Sequence, residues 1–584
     1  MYLIFDTETT GRIENWKAPV TDFEAFPRVV QLAWQLHDYK GELIEIKNFI
    51  IKPDGYTIPF NAEKIHGIST ERAEKIGVEL SFVLDEFKKA LAETDFVVGH
   101  NVEFDLKVMG AEYARADRDD GLMKKKSLDT MLASTNFCQL PGGRGKSFKY
   151  PTLSELNEKL FREKVDNAHN ASADVEATAR CFLELIRIGV FTKKDLHTND
   201  EYLKVFKEAN PKPFELIGLN IKPYAADDFE ERELEDTDDT PSKKELKENK
   251  KLLEEFPFVH LHNHTQFSIL QSTSNIKSIV RRAAELEMPA IAITDLGNMM
   301  GVFHFVRECE MAGIKAIVGC EFFVAEEYQK HQFTKDAPDK RFKQVLIAKN
   351  EQGYHNLAKL CSVGFIEGYY AGLPRVGREV IEQYKENLIC TTGGLGGEIP
   401  NLILNIGEKQ AEEAFKYWHG LFGEDFYVQL MRHDLEEEKR VNEVLLRFCE
   451  QYGVKYFAAN NVYYEKKEDA YAHDILLCVK DGEQIDTPIG FGRGHRFGMK
   501  NQEYYFKSGD EMKALFSDLP DSIINIKEII DKVEEYQLGR DILLPKFDIP
   551  AEFEGENEFL AHLTYEGAKE KYGEITDEIK ERLD

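Results

Sequence analysis

Two stretches of the chain alternate short apolar runs with helical periodicity, and between them residues 227–239 are mostly acidic. Such a segment carries too little apolar surface to fold alone, so the chain divides there into two blocks. In the first block, residues 2–5, 29–34, 43–51 and 96–98 have strand character, and residues 83–92 and 171–188 have helical periodicity. Strands and helices mixed in this way predict an α/β unit. In the second block the short apolar runs 258–261, 290–294, 316–323, 345–348, 388–391, 426–430 and 456–459 are separated by helical segments. That rhythm predicts a barrel-like α/β domain with functional groups at its strand ends. With 584 residues the chain exceeds one hydrophobic core, and roughly three to five domains are expected. The expected divisions are 1–190, a linker over 191–254, a second domain over 255–535, and a further region over 536–584 with a helical pattern at 558–572.

Hydrophobic residues make up 42% and charged residues 31% of the chain, which excludes collagen-like and wholly disordered classes. No run of eighteen apolar residues occurs, so no membrane-spanning helix is expected. The N-terminus meets Asp6 almost at once and does not read as a signal peptide. The eight cysteines are scattered without Cys-x-x-Cys pairs, a pattern of reduced thiols in a cytoplasmic chain. A formal net charge of −30 argues against non-specific coating of a duplex, which needs a broad basic face. It leaves room for an enzyme that gathers acids around metal ions.

Asp6 and Glu8 stand two apart at the end of the first apolar run, so both project from one strand face. Two carboxylates at the edge of an apolar strand are costly to bury without a cation. Asp105 follows a second apolar run, and Asp174 lies early in a helix rich in small residues (Ala171, Ala173, Ala177, Ala179) that can pack close to the sheet. Four carboxylates match two divalent cations, which such hard oxygen ligands hold for phosphodiester hydrolysis. His169 lies five residues before Asp174, and its intrinsic pKa suits proton abstraction near neutral pH.

Residues 5–11, 99–105 and 169–174 resemble, in order, the three motifs of the DEDDh family of 3′–5′ exonucleases. The resemblance covers roughly residues 1–185. It implies a ribonuclease H-like fold, a mixed sheet flanked by helices, and removal of 3′-terminal nucleotides from DNA. It assigns Asp6, Glu8, Asp105 and Asp174 as ligands of two Mg²⁺ or Mn²⁺ ions and His169 as the general base. Thr7, Thr9, His66 and Asn101 match positions that line the terminal-nucleotide pocket. RNA stays open as a substrate, since related nucleases with the same acids trim RNA. The basic runs at 124–126 and 142–149 are surface segments or contacts for the incoming strand.

In the second block His262 and His264 stand two apart, and Asp295 and Glu321 each end a later apolar run. On a barrel these four groups converge on one rim, a pattern that suggests a divalent metal. Residues 256–535 resemble the PHP domain, a distorted (β/α) barrel that opens the α subunit of bacterial replicative polymerases. The resemblance also shows departures. Leu296, Lys343, Gly394 and the stretch Asn461-Val462-Tyr463 stand where metal-binding members carry ligands. Leucine and glycine offer no side-chain ligand and a lysine repels a dication, so this pocket is expected to lack its metal and to serve a structural role. His355, His433, His473 and His495 are read as surface or packing residues.

Together the resemblances imply the N-terminal part of a DNA polymerase III α subunit with a fused proofreading exonuclease, ending before the polymerase palm. Its expected partners are a DNA 3′ end, the rest of the polymerase chain and replisome subunits, with no membrane. Two other readings are a PHP-type phosphoesterase and a non-enzymatic replisome scaffold.

Overall fold

A computed structural model describes residues 1–118, 121–142, 148–163, 170–218, 243–334, 338–490, 494–539, 542 and 547–584. The chain forms two units, residues 1–535 and 536–584. The first sheet comprises β1 (Tyr2–Thr9), β2 (Val29–His37), β3 (Leu43–Ile50), β4 (Phe96–Gly99) and β5 (Lys126–Asp129). Its order is β3-β2-β1-β4-β5, with β1 antiparallel to β2 and parallel to β4. The outer pairs follow suit, β2–β3 antiparallel and β4–β5 parallel. This is the mixed sheet expected of a ribonuclease H-like domain. Strand β5 escaped the sequence reading because it is four residues long and begins with exposed Lys126 and Ser127.

The strand period decides what each face carries. Leu3 and Phe5 enter one core with Leu84, Phe87 and Val108, while Tyr2 and Ile4 enter another with Val175, Ala179 and Phe182. Each fully buried Leu, Ile, Val or Phe among them contributes roughly 1.5–3 kcal/mol. Asp6 and Glu8 continue the Tyr2–Ile4 face toward the helix Ala171–Arg187. Thr7 continues the opposite face toward the helix Val102–Arg115.

Residues 191–214, expected to open the linker, instead pack on this domain. Leu196 and Phe206 are buried with Phe182, and Tyr202 Oη meets Tyr2 Oη at 2.8 Å. The amphipathic helix Asp200–Ala209, capped by Asn199, brings Phe206 inward. Residues 219–242, which hold the acidic segment, lie outside the described residues. The Lys-rich helix Lys243–Leu253 buries Leu253, and Asn249 donates to the Ser517 carbonyl.

The second sheet comprises β6 (Ala290–Ile293), β7 (Lys315–Val324), β8 (Phe342–Ala348), β9 (Tyr369–Tyr370), β10 (Leu373–Val376), β11 (Leu388–Thr391), β12 (Phe426–Met431) and β13 (Tyr456–Ala459). Its order is β13-β12-β11-β8-β7-β10-β9, with β6 also paired to β7. β8 runs antiparallel to both neighbours, which distorts an otherwise largely parallel array. The first expected strand, 258–261, is not one. Asn263 Nδ2 donates to the His260 and Ala292 carbonyls, side-chain bonds standing where a ladder would run. The same extended segment bonds β6 on one side (Ala292 N–H to His260 O) and Val462 on the other (His264 N–H to Val462 O). Those bonds close the ring from β13 back to β6, giving the distorted barrel.

In the C-terminal unit the helix Glu556–Tyr572 packs Phe559 on Phe547 and Phe553. Among the described residues no helix is long and apolar enough to cross a membrane.

Candidate active site

Oxygens of Asp6, Glu8 and Asp174 lie within 4.8 Å of one another at the end of β1. Two of these acids come from the strand and one from the first turn of the helix Ala171–Arg187, whose buried Ala171 and Ala179 let it approach the sheet. Burial pushes the Asp6 carboxyl well above its usual range, and repulsion from Asp105, Asp174 and Glu8 adds to it. Burial, with Asp174 and Asp105, raises Glu8 to about 8. Hard oxygens crowded against their own charge are a donor set that a divalent cation fits and relieves.

Asp105 stands outside that three-residue cluster. Its Oδ1 accepts from Thr7 N–H at 3.0 Å and from Thr7 Oγ1–H at 2.6 Å, which holds it beside Asp6. Burial raises its carboxyl to about 7, against the lowering effect of both Thr7 bonds. The Thr7 side chain, expected to face a nucleotide, is thus spent on Asp105. Thr7→Val keeps the shape and removes one donor, so in the metal-free chain Asp105 is expected to titrate about one unit higher. Carboxyl ¹³C NMR checks this, and an unmoved titration would show that Thr7 does not hold the acid.

The other expected residues fall as follows. Thr9 Oγ1 donates to the Gly11 carbonyl at 2.7 Å. His66 is buried, its Nδ1 accepts from Ile68 N–H at 3.1 Å, and burial lowers its pKa to about 4, opposed by the Thr9 backbone. Asn101 takes a left-handed conformation (φ 69°) before the Asp105 helix. His169 lies outside the described residues, as does most of the basic run at 142–149. Lys126 pairs with Phe96 and Phe96 with Tyr2. That register puts the lysine run at the far end of the sheet from Asp6, about 13 Å along the strand, away from the acids.

Two positioning residues were not foreseen. Asp129 caps the helix Thr130–Cys138 and also accepts from Asn101 N–H and Val102 N–H, fixing the turn that launches the Asp105 helix. Gln31 lies opposite Glu8 in the sheet, and its Oε1 accepts from Ala171 N–H at 3.4 Å, at the start of the Asp174 helix. The only signal for Asp129 is an acid followed by Thr130 after a short apolar run, the pattern of a helix cap.

In the barrel, His262, His264 and Glu321 lie within 4.8 Å of one another. Asp295, expected to join them, is turned aside: it accepts from Thr265 N–H, Thr265 Oγ1–H and Ser268 Oγ–H, each at 2.6 Å. Lys343 Nζ stands 3.2 Å from Glu321 Oε2 and 3.5 Å from Tyr463 Oη. Burial alone would raise Glu321, yet Lys343, His262 and His264 hold it well below the usual carboxylate range. His264 stacks on Tyr463 with ring centroids 4.2 Å apart, and Gln429 Nε2 donates to His262 Nδ1 at 2.7 Å. A side chain at Gly394 would press on the Met431 thioether at 3.1 Å. An internal ammonium thus already balances the Glu321 carboxylate beside the two imidazoles.

Residues 3–182 match the Exonuclease family model and residues 260–433 the PHP domain model. The chain therefore carries one domain of each family. Curated relatives similar to it are named DNA polymerase III subunit alpha. That of Borreliella burgdorferi is 37% identical over 56% of this chain and 28% of its own length. Those of Treponema pallidum (36%, over 56% and 27%) and Thermus aquaticus (33%, over 54% and 26%) are also similar. The chain thus spans little more than a quarter of the curated relatives it matches. Among solved structures, an Exonuclease I from Methylocaldum szegediense aligns over 34% of this chain and 44% of its own, at 22% identity and a TM-score of 0.26.

Proposed function

We propose that the chain is a 3′–5′ proofreading exonuclease acting on DNA 3′ ends, within the N-terminal part of a polymerase III α-type subunit. The observation that carries this reading is the Asp6–Glu8–Asp174 cluster at the end of β1 in an exonuclease-family domain. Asp6, Glu8 and Asp174 would hold the metal, with Asp105 beside Asp6. Two bound Mg²⁺ ions would supply Lewis-acid polarisation of the scissile phosphodiester and a more acidic water. The chain's own residues do the rest. Thr7 keeps Asp105 ionisable next to Asp6, and neutral His66, buried beside Thr9, backs the terminal-nucleotide pocket. His169 takes the proton from the attacking water. The domain boundaries follow as an exonuclease domain reaching past residue 190, a linker around the acidic segment, and a PHP domain to about residue 535. The PHP barrel is structural, with Lys343 standing in for a cation beside Glu321.

Strands labelled separately at the 3′ and 5′ ends test the reading. In Mg²⁺ the chain is expected to release nucleoside monophosphates from the 3′ end of DNA, faster at mismatched primer ends. Release from the 5′ end, or no digestion in millimolar Mg²⁺, would defeat it.

A further inference from the structure

The exonuclease and PHP domains meet along a seam that the chemistry described above does not use. The helix Phe60–His66 of the first lies against the helix Glu398–Asn405 of the second. Asn61 Nδ2 donates to Asn405 Oδ1 at 2.8 Å, and Lys64 Nζ to Glu436 Oε2 at 2.7 Å. Beside them Thr57 Oγ1 accepts from Glu408 N–H at 3.2 Å. Gly407 stands beside it with φ 150°, and a Cβ there would lie 2.7 Å from Thr57 Oγ1. A side chain at Gly407 is strained at this φ and meets Thr57 Oγ1, so the contact between them must shift.

From Thr57 the displacement has a short path to the nuclease pocket. Tyr56 Oη donates to the Val29 carbonyl on β2, and Ile58 N–H to Thr70 Oγ1 at 2.8 Å. Pro59 then caps the helix Phe60–His66, which ends at Gly67 with φ 72°. A seven-residue helix does not hold itself in water, so its surroundings fix it. Ala62 packs inward with Ile58 and Ile68, and on the outer side Asn61 and Lys64 reach the PHP domain while Ile65 stays exposed. Its last residue, His66, borders the Thr9 backbone at the end of β1.

We propose that the PHP domain is a positioning element for the nuclease: docking at Thr57 and Gly407 sets the helix Phe60–His66 and with it the affinity for a DNA 3′ end. The acids at the end of β1 are untouched by the seam, so the chemical step is not set by it. This inference rests on the nuclease reading.

The full chain carrying Gly407→Ala is assayed on a 3′-labelled single strand in Mg²⁺, beside Gly420→Ala, where a Cβ meets open space. Gly407→Ala is expected to raise KM about tenfold with kcat within about twofold, while Gly420→Ala matches wild type. Lys64→Glu is expected to raise KM, and adding Glu436→Lys to lower it again, a rescue that simple misfolding would not give. Unchanged KM in Gly407→Ala, or a fall in kcat at constant KM, overturns the proposal. A wild-type chain that digests no DNA removes the nuclease reading and this proposal with it. Digestion by wild type with the KM of Gly407→Ala removes this proposal alone.

Discussion

Asp6→Asn is expected to abolish DNA hydrolysis, by about 10³-fold or more, while making the metal-free chain more stable at pH 8. Both effects have one cause. Asp6 is the acid that repulsion from Asp105, Asp174 and Glu8 acts on together, so it is central to any cation site there and costly without the cation. The folded-state pKa values are raised, Glu8 to about 8 and Asp105 to about 7. A raised acid binds protons in the folded chain that the unfolded chain has released. Its contribution is therefore fully present below the ordinary carboxylate range and is lost as pH rises through about 7 to 8. The wild-type metal-free chain should lose thermal stability across that window. In Asp6→Asn the slope should flatten, because the amide removes a raised acid whose own proton uptake contributes to it. Thermal melts at pH 5 and pH 8, with and without Mg²⁺, read this directly. A variant less stable than wild type at pH 8 would show that the acids do not strain the fold.

Lys343→Ala is expected to destabilise the chain by about 3 kcal/mol, because removing this half-buried ammonium strands the buried Glu321 carboxylate. Glu321 is 1% exposed, with Lys343 Nζ at 3.2 Å. The same substitution takes away the charge that repels a dication from His262, His264 and Glu321. The variant should therefore retain Zn²⁺ through dialysis while wild type does not, and Zn²⁺ should restore part of its lost stability. Urea unfolding and metal analysis check both halves. Wild-type stability with no retained metal would mean that Lys343 is an incidental neighbour of the pocket.

What the sequence disclosed follows from what kind of contact each residue makes. Asp6 and Glu8 were legible because a strand has period 2 and two acids on one face of an apolar run need a reason. Asp174 was legible from the alanines around it, and the barrel from its repeating apolar runs. Asp105 was placed with the other acids, but only the folded chain shows that Thr7 takes its Oδ1. Gln31 and Gln429 were illegible because each acts on a partner far along the chain, at Ala171 and His262, and Asp129 offered only its helix-cap pattern, not its bond to Asn101. Asp295 misled for the same reason, since nothing local says that Thr265 and Ser268 will turn it away. Residues 258–261 look like a strand by composition, yet Asn263 supplies side-chain bonds where a ladder was expected. The domain seam could not be read at all: Thr57 and Gly407 are 350 positions apart.

The most direct test is a crystal of the full chain soaked in millimolar Mn²⁺ with a nucleoside monophosphate, measured for anomalous scattering. Strong peaks in contact with Asp6, Glu8 and Asp174, with the nucleotide phosphate against them and none beside Lys343, are the predicted result. Manganese bound only elsewhere, or no peak at the end of β1, would contradict the assignment of this site as a metal-dependent nuclease centre.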